Sequence, residues 1–499
     1  MVNIEEMAVF CKKKGFVYPS GEIYGGLNGF FDYGPLGVEL KNNIKSDWWK
    51  FHVQQRDDVA GIDGSIITNP KTWVASGHVE NFIDVMVSCS KCNVRFRADQ
   101  LIEEVLDISV EGAPLEEIQK QLGKIKCTKC KGYLGDAVAF HTMFETNVGP
   151  VKTKKSLAYL RPETAQLIFN NFKLVVDNAR LRLPFGIAQI GKAFRNEISP
   201  RNFLFRCREF EQMEMEYFIN PNDKKCPYLV EVKNDSFQVL TAPMQKKKQK
   251  EKLMKLSDAL KKKVFKSEWH AYWLATEMNW FINLGCDAKN FRLRQHTPDE
   301  KAHYSEDCWD LEYKFPWGYK EIQGIADRGT FDLDQHIKHS KKNLTLFDDV
   351  AKKKIVPVVI AEPSLGVDRS FLVFMYEAYN DDKKRGNIVL KLHPKLAPVK
   401  VGVFPLVNKV SDKAMKVYSE LKKEFVCAYD KGGSVGRRYA RADEQGVPYC
   451  VTVDFDDGVT IRDRDSTMQI RVTESELLEV LRGLLAGSLK FAKAGKLVK

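Results

Sequence analysis

At 499 residues the chain exceeds what one ordinary core holds, and two or three domains are expected. Composition is that of a globular protein, 44% hydrophobic and 29% charged, and no apolar run approaches the roughly 20 residues needed to span a bilayer. The net charge of +12 suits either a nucleic-acid partner or a solubilising excess. The opening MVNIEEMAVFCKKKGF lacks a signal peptide's apolar core and carries acids unusual in transit peptides, so a cytoplasmic, membrane-free protein is expected. There the eleven cysteines do not read as a disulfide framework.

In chain order, a Gly-rich turn region (EIYGGLNGFFDYGPLG) leads into LKNNIKSDWWKFHV, where Ile44, Trp48 and Phe51 form a helical stripe. The strand-like SIITNP ends at Pro70. Residues 80–160 read as an insertion with an acidic helix-like piece, LIEEVLDISVEGAPLEEIQKQLG, and two C-x2-C pairs. Between those pairs, Cys89/Cys92 and Cys127/Cys130, lie 34 residues. Four thiolates in paired knuckles suit tetrahedral zinc; the alternative is free reduced cysteines. Alternating strands resume from 161 to 393, interrupted by a Lys-rich insertion at about 225–300. Within it Leu253, Leu256, Leu260 and Val264 predict one amphipathic basic helix, either a solvated face or a phosphate contact. The Trp-rich WHAYWLATEMNWFINLG has helical spacing and reads as core, and His303 reads as a structural residue rather than a general base. Asp310 and Glu312 alternate on one strand face as candidate site-lining residues. After the Pro-punctuated LHPKLAP, strand, helix and further strands predict a small α/β domain over 395–499, behind a core over 1–394.

The most informative stretch is FRNEISPRNFLFRCREFEQMEME, residues 194–216. Glu is depleted in strands, yet four glutamates crowd its second half. A two-residue period puts Gln189, Arg195 and Glu197 on one face of the first strand, and Phe210, Gln212, Glu214 and Glu216 on one face of the second. Met213, Met215 and Tyr217 take the opposite, core-like face, and Ser-Pro-Arg-Asn marks the connecting loop. If the two polar sets share a surface, it offers guanidinium, aromatic ring and carboxylates together, an inventory for phosphate, heterocycle and ammonium. The alternative is a solvent-facing sheet with cross-strand ion pairs.

Helix-strand-Pro (residues 40–70), the FRNE…REFEQME hairpin and AEPSLGVDRSFLVFMYEAY occur in that order and resemble motifs 1, 2 and 3 of class II aminoacyl-tRNA synthetases. With IYGGLNGFFDYGPLGVELKNNIK, RPETAQ, EIQGIADRGTFDL and GSVGRRYARADEQGVP, the chain is similar over nearly its whole length to homodimeric glycyl-tRNA synthetases, the bacterial ones most. The resemblance implies an α+β protein, with an antiparallel-sheet catalytic core and a C-terminal α/β domain that binds the tRNA anticodon. It implies a ligase that joins glycine and ATP to glycyl-adenylate and pyrophosphate, then moves glycyl to the 3′-terminal adenosine of tRNA(Gly). By the same match Arg195, Glu197 and Arg369 are the catalytic residues: Arg195 holds the α-phosphate, Glu197 reads the adenine amino group and Arg369 covers the base or γ-phosphate. Phe210 stacks on adenine, and Arg206 and Arg208 support phosphates or loop. Asn196, Phe205, Cys207, Glu209, Ile322, Gly366, Val367 and Asp368 complete the ATP set, and Glu321 is the candidate magnesium ligand. The glycine site maps onto Arg97, Glu163, Phe210, Glu211, Gln212, Met213, Glu214, Glu362, Pro363, Ser364, Leu365 and Gly366. Rejecting alanine then requires a pocket with no room for a methyl, since attraction alone supplies only roughly 1–3 kcal/mol. Lys431, Arg437, Arg438 and Arg441 would meet tRNA, and motif 1 implies a homodimer with Pro70 near its interface. The rival reading, a synthetase-like fold turned nucleic-acid-binding subunit, leaves the Arg195, Glu197, Phe210 and Arg369 set without use. A purely structural dimeric scaffold would explain the basic charge but not the hairpin.

Overall fold

The alternation of FGIAQIGKAF against EFEQMEMEYFI builds the centre of a nine-stranded sheet. This computed structural model describes residues 2–108, 110, 113–153, 155–300, 305–349 and 351–498; His303 lies outside them. In chain order the strands are β1 (Val59–Ile62), β2 (Phe185–Phe194), β3 (Glu209–Ile219), β4 (Ser236–Leu240), β5 (Lys252–Lys255), β6 (Phe291–Gln295), β7 (Asp307–Phe315), β8 (Gly318–Asp327) and β9 (Val358–Gly366). They lie side by side as β5-β4-β6-β7-β8-β9-β3-β2-β1. Only the β1–β2 and β4–β6 contacts are parallel; the others are antiparallel, as expected for this fold class.

One sheet face is covered by α1 (Pro35–Trp49), α3 (Glu268–Asn283) and α5 (Val367–Ala378), where Trp48, Met213, Tyr217, Trp273 and Phe371 share one apolar cluster. Pro35 at the first turn suits α1, because its missing N–H has no helical partner to lose. The Trp-rich segment is α3, capped by Ser267, with all its tryptophans buried. Helices α2 (Ala165–Ala179) and α4 (Phe331–Ser340) form a smaller cluster around Phe172 and Phe218.

Residues of the predicted insertion build their own three-stranded sheet (Ile83–Ser88, Arg95–Arg97, Val138–His141). Helices Ala98–Leu106 and Leu115–Leu122 close a local core of Val87, Ile102 and Ile118. Near the C-terminus a six-stranded sheet with parallel and antiparallel pairs packs against helices Ser411–Leu421, Val435–Gln445 and Leu477–Ala486.

One sequence expectation fails. The Lys-rich stretch is not one helix: Ala242–Lys246 and Leu256–Lys261 are short helices, and Lys252–Lys255 between them is the outer strand β5. Leu253 is exposed there while Leu256 is buried, so the apparent stripe mixes a strand's period of two with a helical turn. SIITNP does hold a strand, as expected, but outside the main sheet. Ile67–Thr68 pairs with Tyr159 and Leu160 in a separate small sheet, and the main sheet's edge is VAGI, β1. Inside β2, Gly191 leaves the space through which Arg161 passes; an added Cβ would lie 1.9 Å from the guanidinium. Arg161, 1% exposed, ties Lys192 O and Gly64 O together there.

Candidate active site

The β2–β3 register pairs Ala193 with Phe210 and Gln189 with Glu214. The two polar sets therefore share the sheet face opposite the α1/α3/α5 core. β9 sets Ser364 beside Glu214, and β8 sets Gly324 beside Ser364. Above this face a cavity of about 740 Å³, counting its open mouth, is lined by Arg195, Glu197, Phe205, Arg206, Cys207, Phe210, Gln212, Glu321, Ile322, Ser364, Gly366, Asp368 and Arg369, all expected, and by Leu204 and Gly324, which were not.

The strand stops at Phe194, so Arg195 and Glu197 project from the chain just beyond it rather than from β2 itself. The Arg195 guanidinium lies between the rings of Phe82 (5.5 Å) and Phe210 (5.4 Å), and its Nε donates to Pro162 O. Glu197 accepts from Arg206 Nε at 2.8 Å and faces its Nη2 at 2.6 Å. Arg369, in the first turn of α5, stacks 4.7 Å from the Phe205 ring, donates to Glu321 O and stands 3.3 Å from Glu321 Oε1. Gly366 has φ −75° and only ordinary contacts around an added Cβ, so nothing among the described residues demands glycine at this cavity-lining position.

Beside the cavity the carboxylates converge. Glu214 accepts from the Thr164 hydroxyl, and Gln212 Nε2 donates to Ser364 Oγ at 3.0 Å. Glu163 faces His78 Nε2 at 3.1 Å, and Ser76 Oγ lies 2.7 Å from the other ring nitrogen. Burial opposes the charge on Glu163, but His78 first, then Arg328, outweighs it and holds the carboxyl far below its usual range. Arg328 makes a two-pronged bond to Asp332 and donates to Glu362 at 2.6 Å. Burial pushes Glu362 up to about 8 against the pull of Arg328. Asp310 also faces this side, gripped by His296 at 2.8 Å; that bond outweighs burial and raises the imidazole to about 11. Glu312 is turned instead to Arg292.

Several predicted residues lie elsewhere. Glu211, Met213 and Leu365 alternate onto the opposite sheet face: Glu211 meets Lys41 and Lys45 of α1, and Met213 and Leu365 are core. Pro363 shares that face by strand alternation, and Val367 is core. Asp368 touches the cavity but is committed to Lys41, the Tyr33 hydroxyl and Glu211 N–H. Glu209 pairs with Lys192. Arg208 holds the loop through Glu197 O and Asn28 O, while Asn196 N–H bonds Thr142 O. Arg97 is bound to Asp99 and Asp84 and does not line the cavity. Sequence reasoning missed His78, Thr164 and Arg328, although Thr164 stands in RPET and Arg328 in IADR.

The four paired cysteines do meet: their Sγ atoms all lie within 4.8 Å of one another, with Cys89–Cys130 at 3.5 Å and Cys92–Cys127 at 3.7 Å. In the C-terminal region Arg438 is 4% exposed and bound to Gly433 O and Lys431 O, a fold-stabilising role. Arg441 is held by Asp430, whereas Lys431 and Arg437 are exposed.

Residues 151–377 match the tRNA synthetase class II core domain (G, H, P, S and T), and 400–484 match the anticodon binding domain. The chain is 44% identical to the glycine–tRNA ligase of Caldanaerobacter subterraneus subsp. tengcongensis, over 94% of this chain and 96% of that one. It is 44% identical to that of Acetivibrio thermocellus, over 96% and 98%. To that of Bacillus anthracis it is 41% identical, over 98% and 100%. Likeness of this degree, end to end and on a fold with this site, places the chain in the glycine–tRNA ligase family of class II aminoacyl-tRNA synthetases.

Proposed function

We propose that the chain activates glycine with ATP to glycyl-adenylate and pyrophosphate, then transfers glycyl to the 3′-terminal adenosine of tRNA(Gly). The observation that carries this reading is one concave face holding Arg195, Glu197, Phe210 and Arg369 beside a buried carboxylate cluster. In the first step a glycine carboxylate oxygen bonds to the α-phosphorus and the bond to pyrophosphate breaks. Both reactants are anions, so the protein's task is alignment and charge neutralisation. Arg195, fixed between two rings, supplies the fork for the α-phosphate, and Arg369 faces the base or γ-phosphate. Phe210 stacks on adenine while Glu197 accepts from its amino group. Glu163, Glu214 and Glu362 surround the ammonium, with Ser364 beside them, and selection against alanine rests on steric exclusion of its methyl there. The second step forms an ester to a terminal ribose hydroxyl and releases AMP.

Glu321, about half of whose side chain is open to solvent, fits as a carboxylate for Mg2+, which supplies neutralisation of phosphate charge when bound. The cysteine cluster fits Zn2+: tetrahedral Zn–S bonds of about 2.3 Å set sulfurs roughly 3.8 Å apart. Cys127→Ser is expected to lower bound zinc from one per chain to none and to expose residues 83–141 to faster hydrogen exchange. Metal content by elemental analysis checks this; unchanged zinc would refute the site.

Exposed Lys431 and Arg437 are the cations available to anticodon phosphates. The reading is of the homodimeric, bacterial-like type, working in the cytoplasm. For the homodimer, the support is the outer strand β1 and the exposed Ile67, Val74 and Leu174. Among the described residues no helix is long and apolar enough to cross a membrane. Glycine-dependent exchange of pyrophosphate into ATP tests the whole reading. A folded protein with no exchange for any amino acid would favour a binding subunit instead.

A further inference from the structure

Glu216 is 0% exposed, and among the described residues neither of its carboxyl oxygens has a hydrogen-bond partner. The register that pairs Glu214 with Ser364 and Tyr217 with Ala361 sets it across from Glu362. Oxygens of Glu214, Glu216 and Glu362 lie within 4.8 Å of one another. We propose that Glu216 is a positioning residue for glycine: a carboxylic acid beneath the pocket that stays neutral and donates its O–H to Glu362, aiming that carboxylate at the ammonium, whose charge makes Glu362 release its own proton to solvent. This rests on the glycine-site reading given above.

Charge leads to it. Around this point stand Glu214 on β3, Glu362 on β9, Cys308 on β7, Asp332 on α4, and Glu163 with its partner His78 ahead of α2. Arg328, at the end of β8, is the guanidinium shared by Asp332 and Glu362. Adjacent carboxylates in a site sealed from water cannot all ionise, and one proton must stay. Glu362 has the Arg328 guanidinium to stabilise its charge, while Glu216 has no donor among the described residues, so Glu216 keeps its proton when Glu362 ionises beside the incoming ammonium. Burial and the neighbouring Glu362 both raise the Glu216 carboxyl well above its usual range, in the same sense. The remaining anions then match one incoming ammonium more closely than a fully ionised set would.

The test compares E216Q, E216L and E362Q in glycine-dependent pyrophosphate exchange. Glutamine keeps the shape and a donor, so E216Q should hold the glycine KM within about twofold of the wild type. Leucine removes the donor and should raise the glycine KM roughly tenfold, leaving kcat and the ATP KM little changed. A glycine KM in E216Q as high as in E362Q would mean an ionised Glu216 and overturn the proposal, as would a wild-type KM in E216L. No effect in E362Q would instead sink the glycine-site reading. If E216L does not fold, infrared spectra decide. The wild type should show at neutral pH a buried carboxylic-acid C=O stretch that E216Q lacks, and identical spectra would overturn the proposal.

Discussion

Replacing Arg195 by alanine should cut glycine-dependent pyrophosphate exchange by about 10²–10³, the usual cost of removing one preorganised donor from a developing charge. The guanidinium is fixed before any ligand arrives, by Phe82 and Phe210 on its two sides and by Pro162 O on its Nε. Its loss therefore removes alignment and charge together. Lysine should restore little, because a point ammonium can neither lie flat between two rings nor present two parallel donors. Affinity for tRNA should stay near wild type, since exposed Lys431 and Arg437 sit in the C-terminal six-stranded-sheet region and do not line the cavity. Exchange rates and filter binding on the same preparation separate the two effects. Exchange within tenfold of wild type in R195A would remove Arg195 from the phosphate role.

The second large effect is on stability. Arg328 is 3% exposed and bridges Asp332 and Glu362, so Arg328→Ala leaves buried carboxylates without their cation. Removing one partner from such a network costs ~3–5 kcal/mol. A fall in the urea midpoint at constant slope measures it. The pH dependence has a definite sign. Glu362 is raised from 4.5 to about 8 in the folded chain, so folding binds its proton more tightly than the unfolded chain does. The stability this contributes is complete below about pH 4.5 and is lost as pH rises towards 8. The R328A deficit should accordingly be larger at pH 8 than at pH 5, where more of the cluster is neutral. An equal deficit at both pH values would count against the charge argument.

How far the sequence revealed this site is clearest in FEQME. Motif matching takes its five residues as one block, but a strand sends neighbours to opposite faces. Phe210, Gln212 and Glu214 reach the cavity face, while Glu211 turns to the lysines of α1 and Met213 enters the core. The alternation of the β2–β3 hairpin was legible because both strands are long and one face is apolar. VAGI was not, being four residues long with a glycine among them. The Lys-rich stretch misled because Leu253, Leu256 and Leu260 happen to keep helical spacing across a strand-to-helix junction. Thr164 and His78 left no such signal: their importance comes from contacts with residues far along the chain.

Phe82 belongs to the segment that also carries the cysteine cluster, and that segment touches the hairpin loop at further points. Thr142 O takes the Asn196 N–H, Ser199 Oγ donates to Arg95 O, and Arg201 reaches Gln100. A trimmed enzyme made by excising residues 83–141 and splicing the ends would keep Phe82 and Thr142 but lose the Arg95 and Gln100 rungs that steady the loop after Arg195. Any minimised version would have to replace that buttress before it could be expected to turn over.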